Sequence, residues 1–246
     1  MPEICTTKLG EAVERAVAAL DQDLVRKEYW AQNEFVFLRE FLPKSVVQDV
    51  LVPEVERLKP QLNRNYIPTH KKGGSVSYFL IRKEAPAFLE LYRAPAFIEF
   101  VSTLVGVHLM VCPENDPHAC ALYYYTEPGD HIGFHYDTSY YRGARYTILL
   151  GLINQSVQCK LACHLYKDDP TRQVKELELL TEPGDLAVFN GDKLWHAVTP
   201  LGAGEYRVML TLEYLTNPEM GHFKRVYSNL KDAFAYFGIR AFLKRG

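Results

Sequence analysis

From residue 107 to residue 215 the chain is cut into short runs separated by turn signals, and that texture limits the folds open to it. The runs read VHLMVC, ACALYYYT, HIGFHYD, ARYTILLGLI, CKLACHLY, KELELL, LAVFN, WHAV and YRVMLTLEYL. Between them stand Pro117, Pro128-Gly129-Asp130, Arg142-Gly143, Pro183-Gly184-Asp185, Asn190-Gly191-Asp192 and Gly202-Ala203-Gly204. Gly, Pro, Asn and Asp are the residues that supply turn conformations. Many short apolar or alternating strands at this spacing predict a double-sheet jelly roll or barrel.

The remainder of the chain reads mostly as helix, so the predicted fold class is mixed α/β with a double-stranded β-helix core and covering helices at both ends. An amphipathic helix is predicted over 7–30, capped by Thr7, with Leu9, Val13, Ala16, Val17, Leu20 and Leu24 at helical spacing. A short strand follows at 34–38, then a helix over 43–58 with Pro43 in its first turn. Residues 60–75 carry no period and hold Pro60, Pro68, Gly73 and Gly74, which predicts a long loop and a possible lid. Val76 to Arg82 reads as a strand. Two short helices over 85–92 and 94–104 each begin at an Ala-Pro pair, and a final helix is predicted over 228–243. No internal repeat or linker divides the 246 residues, which suit one domain: support with minor-sheet strands over 1–106, jelly-roll core over 107–215, closing helix over 216–246.

Composition excludes several classes of function. A net charge of −2 gives no general attraction to nucleic acid or anionic membrane. No apolar run approaches the roughly 20 residues that span a bilayer. The start of the chain lacks the order of a secretory signal. Five cysteines without a CxxC fit reduced thiols in a cytoplasmic protein. Cys159, Cys163 and His164 lie in a strand-like run without a second ligand pair, so structural zinc is not expected there.

The chemistry-bearing motif is His135-Tyr136-Asp137. On an extended strand, residues i and i+2 share a side, so an imidazole and a carboxylate converge. A second imidazole, His196, stands 61 residues downstream beside a strand and a turn. Two histidines and one carboxylate form the ligand set of non-haem Fe(II) oxygenases. Arg207 heads the apolar strand YRVMLTLEY after a glycine turn, a place suited to holding a carboxylate with its planar fork. Trp195 is expected to face away from His196 as packing, and His131 reads as a turn residue. The Tyr123-Tyr124-Tyr125 and Tyr140-Tyr141 runs are pocket or core, and His164 and His222 are structural or exposed.

The stretch GDLAVFNGDKLWHAVTPLGAGEYRVMLTLEY resembles the C-terminal half of the prolyl-4-hydroxylase-like Fe(II)/2-oxoglutarate dioxygenases. The pattern runs through Pro183-Gly184-Asp185, Leu186 to Phe189, His196-Ala197-Val198-Thr199-Pro200, Gly204 and Arg207. Tyr125, Gly129-Asp130 and Arg145 to Leu150 extend it upstream, so the resemblance covers roughly residues 119–215. It implies an enzyme that uses Fe(II), 2-oxoglutarate and O2, with His135, Asp137 and His196 as metal ligands. Arg207 would hold the far carboxylate of 2-oxoglutarate, with Thr147 and Tyr125 as further hydrogen-bonding groups. Halogenating relatives lack the carboxylate that Asp137 supplies, so the resemblance implies hydroxylation or another oxygen-type outcome, and the sequence does not separate hydroxylation from desaturation or cyclisation. Two departures count against a peptidyl-proline substrate. Gly151 replaces a usual Tyr, and QSVQCKLACHLYKDD replaces a Gly-Gly-Glu segment.

The predicted substrate is a small polar metabolite such as a free amino acid. Arg64, His70, Lys72 and Arg82, or Arg142 and Arg145, are candidates for its anionic group, and Glu127, Asp130 or Glu213 for an amine. Competing readings are a peptide hydroxylase, a nucleic-acid demethylase, and a non-catalytic cupin-like metal protein. Demethylating relatives carry a second Arg six residues after the first, where this chain has Glu213.

Overall fold

The computed structural model describes residues 8–219 apart from Thr138 and Tyr140. The helix predicted over 228–243, His222 and Tyr140 lie outside the described residues. The helix predicted over 7–30 is two: α1 (Lys8–Ala19) and α2 (Gln22–Ala31). Asp21 makes the break, because its side chain accepts from Leu24 N at 3.0 Å and caps the second helix. Strand β1 (Phe35–Leu38) follows, then α3 (Lys44–Val46), a π-helical segment over Val47–Leu51, and α4 (Val52–Leu58).

The aperiodic stretch at 60–75 is not a loop. It forms the hairpin β2 (Asn63–Ile67) and β3 (Lys71–Val76), and β3 sits inside the sheet, bonded to two further strands. Its glycines explain the missing pattern. A Cβ on Gly74 would lie 2.8 Å from Leu62 Cδ1 and 3.4 Å from Tyr124 Cβ, so the middle of the strand is buried by close approach, and Val76 at its end is its one apolar side chain. The strand predicted over 76–82 is a helix, α5 (Tyr78–Glu84), which buries Tyr78 and Ile81 at i, i+3. A short apolar run does not separate helix from buried strand by period alone. Helices α6 (Pro86–Arg93) and α7 (Pro95–Val105) each start on their proline, and Gly106 ends α7 in the left-handed region at φ 77°.

The remaining strands are β4 (Met110–Val111), β5 (Cys120–Tyr125), β6 (His131–His135), β7 (Arg145–Gln155), β8 (Leu161–Leu165) and β9 (Lys175–Leu179). They continue with β10 (Leu186–Asn190), β11 (Trp195–Val198) and β12 (Tyr206–Leu215). One curled antiparallel path runs β1-β10-β7-β12-β5-β3-β6-β11-β8-β9. Its first half packs on the helices, and its second half folds over the inner face, giving a jelly-roll core. The sequence shows why β12 does this. Val208, Leu210, Leu212 and Tyr214 join the core against the helices, while Arg207, Met209, Thr211 and Glu213 alternate onto the inner face. Strand β10 is buried on both faces. Leu186 and Val188 join the helix-side core, and Ala187 and Phe189 meet Leu161, Cys163 and Leu165 of β8. Among the described residues no helix is long and apolar enough to cross a membrane.

Candidate active site

Between the two halves of the sheet lies one cavity, and three groups able to bind a metal converge in it. His135 ends β6 and pairs across the sheet with His196 of β11, their rings 4.3 Å apart. Asp137 lies just past the strand rather than on it, held by donation from its N–H to Gly191 O at 2.9 Å. One ligand atom from each of His135, Asp137 and His196 falls within 4.8 Å of the others. The imidazoles are oriented alike. Nδ1 of His135 lies 2.8 Å from Gly133 O, and Nδ1 of His196 lies 3.0 Å from Leu194 O. A carbonyl only accepts, so each Nδ1 carries a proton and each Nε2 is the nitrogen left to offer its lone pair to a metal. Both Nε2 atoms face Asp137, at 3.3 Å for His135 and 3.8 Å for His196.

Electrostatics keep the carboxylate charged. Burial pushes Asp137 up, but His196 and His135 outweigh it and hold the group well below the usual carboxylate range. Burial lowers His196, whereas at His135 the hydrogen bond and charge of Asp137 overcome burial and raise it. Thr147 Oγ1 donates to Asp137 Oδ2 at 2.7 Å and lies 3.1 Å from Glu213 Oε2. Thr147, a candidate for the co-substrate, lines the cavity, and its hydroxyl also braces the Asp137 carboxylate. With two lone-pair imidazoles and one ionised carboxylate, the donor set fits a divalent transition ion with open positions.

Arg207 lines the same cavity and is 1% exposed. Among the described residues its contacts are all uncharged: Thr181 Oγ1 at 3.4 Å, Cys159 Sγ at 3.8 Å and the Tyr125 ring at 5.2 Å. Its Nε has no hydrogen-bond partner among the described residues. Thr181 reaches it because of Gly151. A Cβ at 151 would stand 2.1 Å from Glu182 O, so the bare backbone admits the segment that carries Thr181. Gly151 N donates to Asp185 O and Gly184 N to Gly151 O, which fixes that segment. Tyr125 also lines the cavity, and burial pushes its hydroxyl well above its ordinary range.

The substrate candidates scatter. Arg64 is locked to Asp130 by two bonds of 2.8 Å, and Lys72 donates to Pro128 O, so both brace the turn before β6. Arg82 pairs with Glu114 and Arg142 with Glu219 at the surface. His70 packs edge-on against His135 with ring centroids 5.8 Å apart, outside the cavity lining. Arg145 does line the cavity, and its Nε donates to Glu213 Oε2 at 2.8 Å. Burial pushes Glu213 up to about 7 against the pull of Arg145. Asp116, His118 and Thr211 also line the cavity and were not anticipated. Alternation from Arg207 points to Thr211, but Asp116 and His118 lie in irregular chain with no period to mark them. Trp195 packs outward against Phe134 and Tyr136.

No family model matches the chain, and no curated protein does. Solved structures match it in fold. The non-heme alpha ketoglutarate dependent epimerase SnoN of nogalamycin biosynthesis, in complex with Fe3+, alpha ketoglutarate and nogalamycin RO, aligns with TM-score 0.64 and 13% identity over 79% of this chain and 83% of its own. A Pseudomonas putida prolyl-4-hydroxylase aligns at 0.59 and 18%, over 79% and 97%. The Trichoplax adhaerens prolyl hydroxylase with a hypoxia inducible factor peptide aligns at 0.57 and 15%, over 89% and 94%. At these identities the likeness is one of fold.

Proposed function

We propose that this protein is an Fe(II)- and 2-oxoglutarate-dependent oxygenase that hydroxylates a C–H bond of a small polar molecule, of the free amino acid kind, releasing succinate and CO2. The observation that carries the reading is Arg207. A buried charge without a counter-charge costs several kcal/mol, so its place in the cavity of the three-ligand cluster calls for an anion that arrives with function. The far carboxylate of 2-oxoglutarate meets that need, and a guanidinium binds it in two parallel bonds.

His135, Asp137 and His196 would hold the Fe(II), which with 2-oxoglutarate and O2 supplies the oxidising chemistry. The chain's own residues do the positioning. Gly133 O and Leu194 O keep both Nε2 atoms turned to the metal, and Thr147 holds the Asp137 carboxylate in place. Leu149, Leu161 and Met209 give the cavity an apolar wall between ligands and Arg207, which excludes water from the co-substrate. The polar groups left for a substrate, Asp116, Arg145 and Glu213, are inside the barrel, so the group they read must enter it. This favours a small molecule over a folded protein surface.

Fe(II) and 2-oxoglutarate added without oxygen should give the weak visible band of a chelated keto acid; metal binding without the band would sink the reading. Alanine at His135, Asp137 or His196 should each abolish succinate formation while the fold survives. Arg207→Ala should raise the 2-oxoglutarate requirement on the order of 100-fold, the cost of removing one partner of a buried charge pair. An unchanged requirement would move the anchor elsewhere.

A further inference from the structure

The end of the cavity away from Arg207 has more negative charge than the proposed cofactors can balance. Asp116, Asp137 and Glu213 line the cavity against Arg145 and Arg207. Add a divalent ion and the 2-oxoglutarate dianion. With all three carboxylates ionised, the state a bound cation at Glu213 would favour, they and the dianion face two guanidiniums and a divalent ion, which leaves one negative charge. It does not lie at Arg207, whose contacts are uncharged. It lies where Asp116 and Glu213 share a single guanidinium, that of Arg145.

Both carboxylates have room for another donor. Glu213 is 3% exposed, and both groups that approach its carboxylate, the donor Arg145 Nε and Thr147 Oγ1, do so at Oε2. Among the described residues no bond reaches Oε1, on a side chain that lines the cavity. Asp116 accepts His118 N on Oδ1 and Tyr141 OH on Oδ2, each at 2.8 Å, and a carboxylate oxygen accepts two bonds. The η nitrogens of Arg145 carry no bond among the described residues, so a carboxylate beside the incoming donor also finds a partner.

We propose that the substrate presents a protonated amine to this end of the cavity, bound by Glu213 Oε1 and Asp116, with Arg145 as the donor edge for an adjoining carboxylate. An ammonium supplies the missing positive charge and up to three donors, where a hydroxyl supplies one donor and no charge. The inference rests on the proposed oxygenase reading and assigns the groups that read the amine of such a substrate.

The test is a binding panel on the protein with Fe(II) and 2-oxoglutarate under anaerobic conditions: free L-amino acids, their N-acetyl forms and their carboxamides. Calorimetry reads binding whether or not the keto-acid band forms, so loss of the band and loss of amine preference are separate failures. At least one free amino acid should bind about 100-fold more tightly than its N-acetyl form, as expected when one member of a buried charge pair is lost. Its carboxamide should retain part of the affinity. Glu213→Gln and Asp116→Asn should bring the ratio of free to acetylated affinity toward one, a change that mere loosening of the fold does not produce. Equal binding of acetylated and free forms, no binding by any amine, or a ratio unmoved in both variants would overturn the proposal.

Discussion

At the scale of single residues, the placing of Asp137 depends on a residue that contributes no side chain. An added Cβ on Gly191 would sit 2.7 Å from Asp137 Cβ, 3.1 Å from Thr147 Oγ1 and 3.3 Å from Asp137 Oδ2. The same glycine accepts from Asp137 N and donates to Arg145 O, so it joins the metal-facing carboxylate to the head of β7. Space, not backbone freedom, requires glycine here. Gly191→Ala should therefore push Asp137 off its ligand position and weaken metal binding roughly 10–100-fold, the range for loss of a group that orients a ligand. A Mn(II) titration followed by magnetic resonance would measure this, and unchanged affinity would show that the turn yields instead. In the sequence Asn190-Gly191-Asp192 is legible only as a turn. Nothing in the pattern of one segment reveals that a carboxylate from another presses against it.

At the scale of elements, the turn between β5 and β6 has an electrostatic lock with a defined pH range. Asp130 is fully buried and accepts from Arg64, Thr126 N and Glu127 N. Burial pushes its carboxyl up, but these bonds prevail and hold it below its ordinary value. A depressed carboxylate stabilises the fold above its unfolded pKa of about 3.9 and loses that contribution as pH falls through the folded value. Asp130→Asn should cost about 1–3 kcal/mol near pH 7, and the difference should shrink below roughly pH 4. Thermal melts from pH 3 to 7 would show it; a gap constant across that range would contradict the lock. Arg64 was legible as a cation near the motif, but not as the partner of Asp130, because that pairing crosses from one strand to a distant turn. The hairpin holding Arg64 was illegible for a related reason. Strands bounded by Gly and Pro turns, from β5 to β12, announce themselves by apolar alternation, whereas β3 is buried through Gly73, Gly74 and Ser75. The helix α5 was misread because seven residues are too few to tell a buried strand from one face of a helix.

At the scale of the molecule, the two halves of the sheet enclose a site whose charges do not balance without its ligands. The fold is legible from alternation, since β7 and β12 send one set of residues to the helices and the other to the cavity. What a linear pattern does not contain is which inner-face charges neutralise each other. Arg145 meets Glu213, while among the described residues Arg207 meets only uncharged groups. Arg207 is then a cost to the ligand-free protein, and replacing a buried, uncompensated charge with an apolar side chain of similar length stabilises. Arg207→Met should raise the melting temperature without ligands, by about 2–4 °C for each kcal/mol gained in a chain of this size. Binding works in the other direction. Metal with 2-oxoglutarate at about 100 times the dissociation constant adds about 2.7 kcal/mol to the wild type, and the variant should show only the metal's share. The two melting curves should therefore exchange order as 2-oxoglutarate is added. If Arg207→Met melts below wild type without ligands, or responds equally to 2-oxoglutarate, Arg207 is a structural cation and the anion site lies elsewhere.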